Sequence, residues 1–227
     1  MAKKKPQTSR RRSRPVETKK KTNPMMIYGI IGVVVIIAVA VSVIALNPFR
    51  SPPDNTNNDN NVITGNPIAI IDTSKGTIEV ELFYDKLPKT CENFIKLVED
   101  GFYDGMIFHR VMDNFMIQAG NTYPDGSTKV SPYGNIEFET DPDVLHTDGA
   151  ISMASTGAGV GGSAQFFICE GAQPGLDGSY AVFGQTISGF DVISDIADEP
   201  HDSSYGAVGG GRPLTDILIE EITIQYE

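Results

Sequence analysis

The stretch FHRVMDNFMIQAG, residues 108–120, decides the fold of this chain. It contains two short runs of strand-forming residues joined by an Asp-Asn pair that favours a turn. A hairpin folded about the asparagine places Arg110 directly opposite Gln118. Side chains directly opposite one another share a face of the sheet, so both project together beside Phe115 and Met116. The sequence therefore predicts a donor-rich edge on an apolar floor, with room for a small ring and a carbonyl group.

The rest of the segment 67–227 is rich in strand patterns. Residues 77–82 alternate cleanly and predict a strand with Ile78, Val80 and Leu82 facing inward. One helix is predicted to begin near Pro88 and to stop at Gly101, and a second to cover 190–197. Many short strands with two helices in one unit favour a mainly β fold, a closed antiparallel barrel whose ends are plugged by the helices.

Charge divides the chain into two unequal parts. The net charge is -11, yet the first 24 residues carry ten Lys/Arg and a single acid. The remaining residues carry 8 basic and 28 acidic side chains. Such an acidic body repels phosphates, so we expect no nucleic acid among its partners.

Residues 25–46 form a run of 22 residues without a charge. A membrane-spanning helix needs about 20 such residues, whereas the apolar core of a signal peptide has about 7–15. The alternative, a removed signal peptide, is less well supported because no clear small-x-small cleavage site follows. The run therefore predicts a single-pass anchor in a lipid bilayer.

The distribution of charge around this run predicts its orientation. The basic arm, 1–24, precedes the run, and Arg50 alone shortly follows it, which places the N-terminus in the cytoplasm. Residues 47–66 are rich in Asn, Pro and Asp, and are predicted to be a disordered linker. The domain formed by 67–227 is then extracytoplasmic.

Three further motifs suggest nucleotide binding, calcium binding or acid-base catalysis, but each has a simpler structural explanation. The Gly-x-Gly-x-x-Gly match at 157–162 precedes a predicted strand rather than the helix that nucleotide binding needs, so it predicts a flexible loop beside a site. Asp141, Asp143 and Asp148 lack the spacing of a calcium loop. His109 alternates with Arg110 along a strand, which favours a hydrogen-bonded structural role over that of a general base.

No cofactor or metal is predicted. The two cysteines, Cys91 and Cys169, have no metal-ligand spacing and are expected to be buried thiols. No Ser-His-Asp or Cys-His set is apparent in the sequence. We expect the domain to be a monomer.

The 108–120 stretch closely resembles the signature of the cyclophilin-type peptidyl-prolyl isomerases, Phe-His-Arg-Val followed by Phe-Met-x-Gln-x-Gly. The segments GAISMA at 149–154 and SAQFFI at 163–168 resemble further signature segments, as do LDG at 176–178 and VFG at 182–184. The similarity spans about residues 67–227. It implies an eight-stranded antiparallel β-barrel capped by two α-helices.

The resemblance also implies a site. Arg110, Phe115 and Gln118 correspond to the catalytic set, and the implied substrate-binding residues are Met116, Ala154, Ser155, Gln165, Phe167, Leu176 and Tyr180. Among these, Phe115, Met116, Phe167 and Leu176 would hold a proline ring, and the backbone of Ala154 and Ser155 would bind the substrate chain. Three positions depart from the best-known members: Ser155 replaces an asparagine, Tyr180 a histidine and Gly175 a tryptophan. The last change puts cyclosporin affinity in question.

The function implied is cis–trans isomerisation of X-Pro bonds in extracytoplasmic polypeptides during their folding. Isomerising a peptide bond needs no nucleophile. The alternative is a non-catalytic, membrane-tethered module that binds proline-containing chains or holds unfolded clients. The presence of Arg110 favours the enzyme, because binding alone does not require a guanidinium aimed at the amide.

Overall fold

A computed structural model describes residues 65–226. The predicted basic arm, the predicted membrane anchor and all but the end of the predicted linker lie outside these residues. Between residues 65 and 226, no helix has the length and apolar character needed to cross a bilayer.

Eight strands form one antiparallel sheet with the order β3-β4-β6-β5-β7-β2-β1-β8. The strands are β1 (Ile68–Thr73), β2 (Gly76–Leu82), β3 (Arg110–Met112), β4 (Met116–Ala119), β5 (Ala150–Met153), β6 (Phe166–Cys169), β7 (Ala181–Ser188) and β8 (Ile219–Gln225). The two α-helices of the described residues are α1 (Pro88–Glu99) and α2 (Phe190–Ala197). The predicted mainly β fold with eight antiparallel strands and two helices is confirmed.

The barrel is not closed, so the prediction of a closed barrel is wrong at one seam. The end strands β3 and β8 share no ladder; the segments just before them are joined by the isolated bridge of Ile107 with Leu218, and β3 itself makes an isolated bridge with Gly211. The reason lies in β3, which is only three residues long. Its central residue, Val111, exchanges backbone hydrogen bonds of 2.9 and 3.1 Å with Gly211, which precedes β8. Because Gly211 occupies that edge, β8 does not pair with β3 and the sheet forms a half-barrel.

The 108–120 hairpin has the predicted register. Arg110 pairs with Gln118, and Met112 pairs with Met116. At the turn, Asn114 adopts a left-handed backbone with φ of 56°, a conformation that asparagine tolerates better than most residues. The local sequence thus suffices to place the guanidinium and the amide side by side.

The core lies between the curved sheet and the helices. Ile78, Val80 and Leu82 are completely buried, as their alternation predicts. The predicted apolar stripe of α1, which includes Phe94 and Leu97, is also buried. Burial of such side chains is the main stabilising contribution to a fold of this kind, and it leaves the outward face of β3, β4 and β6 free to form a site.

Candidate functional site

A pocket of about 230 Å³ lies where β3, β4 and β6 meet the segments that follow β5 and precede β7. Its lining residues are Arg110, Phe115, Met116, Gln118, Ala154, Ser155, Phe167, Leu176, Tyr180 and Tyr205. The structure therefore brings together nine of the ten predicted site residues. Gln165 lies outside this pocket, and Tyr205 was not predicted.

Arg110 forms the charged wall of the pocket. Its Cζ lies 5.9 Å from the centroid of the Phe115 ring and 4.9 Å from that of Tyr205. Its Nε donates to the Gly209 carbonyl at 3.2 Å, and Nη2 donates to the carbonyls of Val208 and Gly209 at 3.1 and 3.0 Å. Partial burial lowers the pKa of Arg110, and Tyr205 opposes that shift. An arginine remains charged under all ordinary conditions, so the pocket contains a fixed cation.

Gln118 forms the polar edge. Its Nε2 donates to Oε1 of Gln165 at 2.9 Å. Both side chains line an adjoining cavity of about 150 Å³. Gln165 therefore lies beside the predicted pocket rather than in it. Its hydrogen bond fixes the orientation of the Gln118 amide.

The floor of the pocket is apolar and rigidly packed. Phe167 is only 6% exposed, and the Tyr180 ring meets it edge-on with 6.0 Å between ring centroids. Behind Phe167, the His146 ring is stacked at 5.9 Å with an interplanar angle of 4°. Tyr180, which replaces a histidine of the best-known relatives, thus packs against the floor. An apolar surface with a cation at one side suits a ring attached to an amide.

A Ser-His-Asp set lies directly behind the floor, although none was apparent in the sequence. Nδ1 of His146 is 2.9 Å from Asp177 Oδ1, and its Nε2 is 3.1 Å from Ser152 Oγ. Ser152 is completely buried, so no substrate reaches its hydroxyl. Burial lowers the pKa of His146, with Asp177 acting in the opposite direction. The set has a structural role, because it holds the ring that stacks on Phe167.

The Ala154-Ser155 backbone forms the rim after β5 ends. The Ala154 N–H donates to the Gln165 carbonyl at 2.9 Å, so this group is not available to a substrate chain. The Ser155 N–H makes no intramolecular hydrogen bond within residues 65–226. Its hydroxyl donates to the Gly157 carbonyl at 2.7 Å. The Ser155 backbone is therefore the better candidate for contact with a substrate chain.

His109 lies behind the strand rather than in the pocket. It is 7% exposed, and burial, assisted by the charge of Arg110, lowers its pKa to about 4. Its Nδ1 has no hydrogen-bond partner among the described residues, whereas a hydrogen bond with the Gln165 side chain opposes the lowering of its pKa. A neutral, enclosed imidazole is consistent with a structural role.

The predicted buried thiols are confirmed. Cys91 and Cys169 are both free and buried, and burial raises the pKa of each, that of Cys169 to about 12. Neither thiol is therefore a nucleophile at neutral pH.

Among the described residues, one cluster of three carboxylates is close enough together to hold a metal ion. Oxygens of Asp113, Glu170 and Asp198 lie within 4.8 Å of one another. Glu170 already accepts a hydrogen bond from the Asn114 N–H at 2.7 Å, and exposed acidic groups of this kind are common without an ion.

The glycine loop at 157–162 precedes strand β6 rather than a helix, so it lacks the anion-binding helix end of a dinucleotide site.

Tyr205 is the pocket residue that sequence reasoning missed. It lies in the connection between α2 and β8, which has no periodic pattern. The only local signal is the glycine run at 209–211, which indicates a close approach of the backbone to another segment. Nothing in the sequence indicates that this other segment is β3.

Comparison with known proteins gives one family throughout. Residues 68–224 match the family described as cyclophilin type peptidyl-prolyl cis-trans isomerase. Over 155 residues, the chain is 39% identical to peptidyl-prolyl cis-trans isomerase-like 3 of Gallus gallus, covering 67% of this chain and 92% of that protein. A peptidyl-prolyl cis-trans isomerase of Synechococcus elongatus is 48% identical over 118 residues, which cover 52% of this chain and 79% of that protein.

A solved structure gives the same result. It is the crystal structure of a Cryptosporidium parvum cyclophilin type peptidyl-prolyl cis-trans isomerase in the presence of the dipeptide Ala-Pro. The TM-score is 0.62 at 32% identity, and the match covers 70% of this chain and 99% of that one.

Proposed function

The chain belongs to the cyclophilin-type peptidyl-prolyl cis-trans isomerases and has that activity, and we propose that it isomerises X-Pro bonds through Arg110 while the apolar floor holds the proline ring. The reaction rotates a peptide bond whose resonance imposes a barrier of about 18–20 kcal/mol. No bond is broken and no group is transferred. The pocket accelerates the rotation by binding the twisted amide better than either planar form.

The proline ring is held by Phe115, Met116, Phe167 and Leu176. All four line the pocket, and Met116 and Phe167 are almost fully buried within the sheet. Because the ring is fixed, rotation moves the residue on its N-terminal side. In this pose that residue and its carbonyl would lie towards the Ser155 backbone, whose N–H has no hydrogen-bond partner within residues 65–226.

Arg110 supplies the stabilisation of the twisted state. Twisting localises the lone pair on the proline nitrogen, which becomes a hydrogen-bond acceptor, and the charge of the carbonyl changes. A guanidinium already in position donates to these atoms without reorganisation. In the described residues, Nη1 of Arg110 makes no hydrogen bond, since Nε and Nη2 are the atoms bound to Val208 and Gly209. This spare donor edge beside the apolar floor is the observation that carries the proposal.

The test is the activity of Arg110→Ala and Arg110→Lys in a protease-coupled prolyl isomerase assay on residues 67–227. Loss of one donor to the transition state lowers kcat/KM by roughly 10²-fold or more. We expect Arg110→Lys to recover little, because a point charge does not reproduce the planar donor edge. Both variants should stay folded, since the side chain is only partly buried.

The matched control is Lys86→Ala, which removes a positive charge from an exposed position outside the pocket. Its kcat/KM should equal that of the unmodified domain. Near-normal activity of a folded Arg110→Ala variant would contradict the assignment of Arg110. It would favour the remaining pocket residues as the source of the acceleration.

The proposal extends to location and clients. Residues 25–46 have the length and apolar character of a single-pass anchor, and the basic residues before them favour a cytoplasmic N-terminus. On this proposal, residues 47–66 act as a spacer, and the enzyme acts as a monomer on proline-containing proteins that fold outside the cytoplasm.

A further inference from the structure

Residues 202–212, here named the arginine loop, connect the end of α2 to the segment before β8 and lie over Arg110. The ends of the loop are joined. The Asp202 N–H donates to the Arg212 carbonyl at 2.9 Å, and Asp202 Oδ1 accepts from the Arg212 N–H at 2.9 Å. Between them, Gly206–Val208 form a 3-10 turn. The loop is thus a closed structure with its own hydrogen bonds.

The glycine run fixes this loop against β3. Gly211 exchanges two backbone hydrogen bonds with Val111. A Cβ on Gly210 would lie 2.5 Å from the Val111 carbonyl oxygen, and one on Gly209 would lie 2.8 Å from Sδ of Met112. Both glycines also have a positive φ, of 73° and 79°, that other residues rarely adopt. Only glycine therefore permits the loop backbone to approach the strand that carries Arg110.

The close approach of the arginine loop to β3 places three groups in contact with the Arg110 guanidinium. The carbonyls of Val208 and Gly209 accept hydrogen bonds from Nε and Nη2 of Arg110. The Tyr205 ring covers one face of the guanidinium at 4.9 Å, closer than Phe115 at 5.9 Å. The loop thus contacts Nε and Nη2 of Arg110, and Nη1 makes no hydrogen bond within the described residues.

We propose that Tyr205, together with the carbonyls of Val208 and Gly209, positions Arg110 for catalysis. The proposal rests on the proposed function, since it assigns a role that acts through Arg110. A free arginine side chain has many rotamers, and donation to the twisted amide would require ordering it in the transition state. The arginine loop orders it beforehand, so that the donor is already aimed when the amide twists. Tyr205 is a positioning residue.

The experiment measures kcat and KM for Tyr205→Ala and Tyr205→Phe, each in the unmodified chain and in the Arg110→Ala variant. We expect Tyr205→Ala to lower kcat by roughly 10-fold with little change in KM, because the guanidinium loses its cation–π partner and only the two carbonyl groups then hold its orientation. Tyr205→Phe keeps the ring and should stay within about 2-fold of the unmodified chain. In the Arg110→Ala variant, Tyr205→Ala should have almost no further effect, since the residue that it positions is absent.

A matched control is Leu214→Ala, which truncates another large apolar residue in the same connection. Leu214 is 72% exposed and lies outside the pocket, so its variant should retain full activity. Loss of activity in this control would show that any disturbance of the connection suffices, and would overturn a specific role for Tyr205. An unchanged kcat in Tyr205→Ala would overturn the proposal directly.

The double variant separates positioning from direct contact with substrate. If Tyr205→Ala lowers kcat equally with and without Arg110, the ring acts on the substrate itself and the positioning role is wrong. If Arg110→Ala is fully active, both the proposed function of Arg110 and this inference fail. If Arg110→Ala is impaired and Tyr205→Ala is not, only this inference fails.

Discussion

His109 is expected to make the stability of the domain depend on pH without taking part in the reaction. The perturbation is His109→Gln, which replaces a buried imidazole by a neutral amide that does not titrate. In the folded chain, burial and the neighbouring charge of Arg110 lower the pKa of His109 to about 4, whereas its ordinary value is 6.5. The unfolded chain therefore binds a proton at a higher pH than the folded chain does. The stabilisation is fully present above about pH 6.5 and is lost as the pH falls towards 4.

The magnitude follows from the size of the shift. One unit of pKa corresponds to about 1.4 kcal/mol, so the free energy of unfolding should fall by about 2 kcal/mol between pH 7 and pH 5 through His109 alone. His146 contributes in the same direction, because burial lowers its pKa too. The difference between the unmodified domain and His109→Gln isolates the contribution of His109.

The assay is urea unfolding of residues 67–227 at pH 7 and pH 5. We expect the decrease in unfolding free energy on acidification to be about 2 kcal/mol smaller in His109→Gln. The exposed His201 provides the matched control, and His201→Gln should behave as the unmodified domain does. Equal acid sensitivity with and without His109 would refute the reasoning. A loss of kcat/KM with a midpoint near pH 6.5 that disappears in His109→Gln would instead assign a general base.

Two further predictions concern the inhibitor and the topology. Gly175 lies in the turn Pro174–Leu176, and a Cβ there meets no atom within 4 Å, so the Gly175→Trp variant should fold. The indole should tighten cyclosporin inhibition by roughly 30-fold, because it adds packing and one N–H donor. An unchanged inhibition constant would contradict that role for the position. Protease added to intact cells that express the full chain should cut within 47–66 and release the domain while the basic arm stays protected. Digestion of the arm with a resistant domain would reverse the proposed orientation.

The elements that the sequence predicted well are those built from neighbouring residues. The register of the hairpin follows from a two-residue side-chain period and one asparagine turn, so the pairing of Arg110 with Gln118 needs no knowledge of the remainder of the fold. The helix α2 also has the predicted bounds, because these too depend on neighbouring residues alone. Nine of the predicted site residues line one pocket, because most of the signature segments contain or adjoin their own strands; that these residues act in catalysis and binding stays a prediction.

Tertiary structure alone decided the surroundings of those residues. Gly209 contacts Arg110 across a separation of 99 residues, and His146 joins Asp177 and Ser152 behind the floor of the pocket. No period or turn connects these positions, since they meet only after the sheet has curved and its loops have packed. The closure of the barrel depends on the same kind of contact, because Gly211 takes the edge of β3 that a closed barrel would give to β8. Local sequence therefore determines which side chains share a strand face, and long-range packing determines what holds them in place.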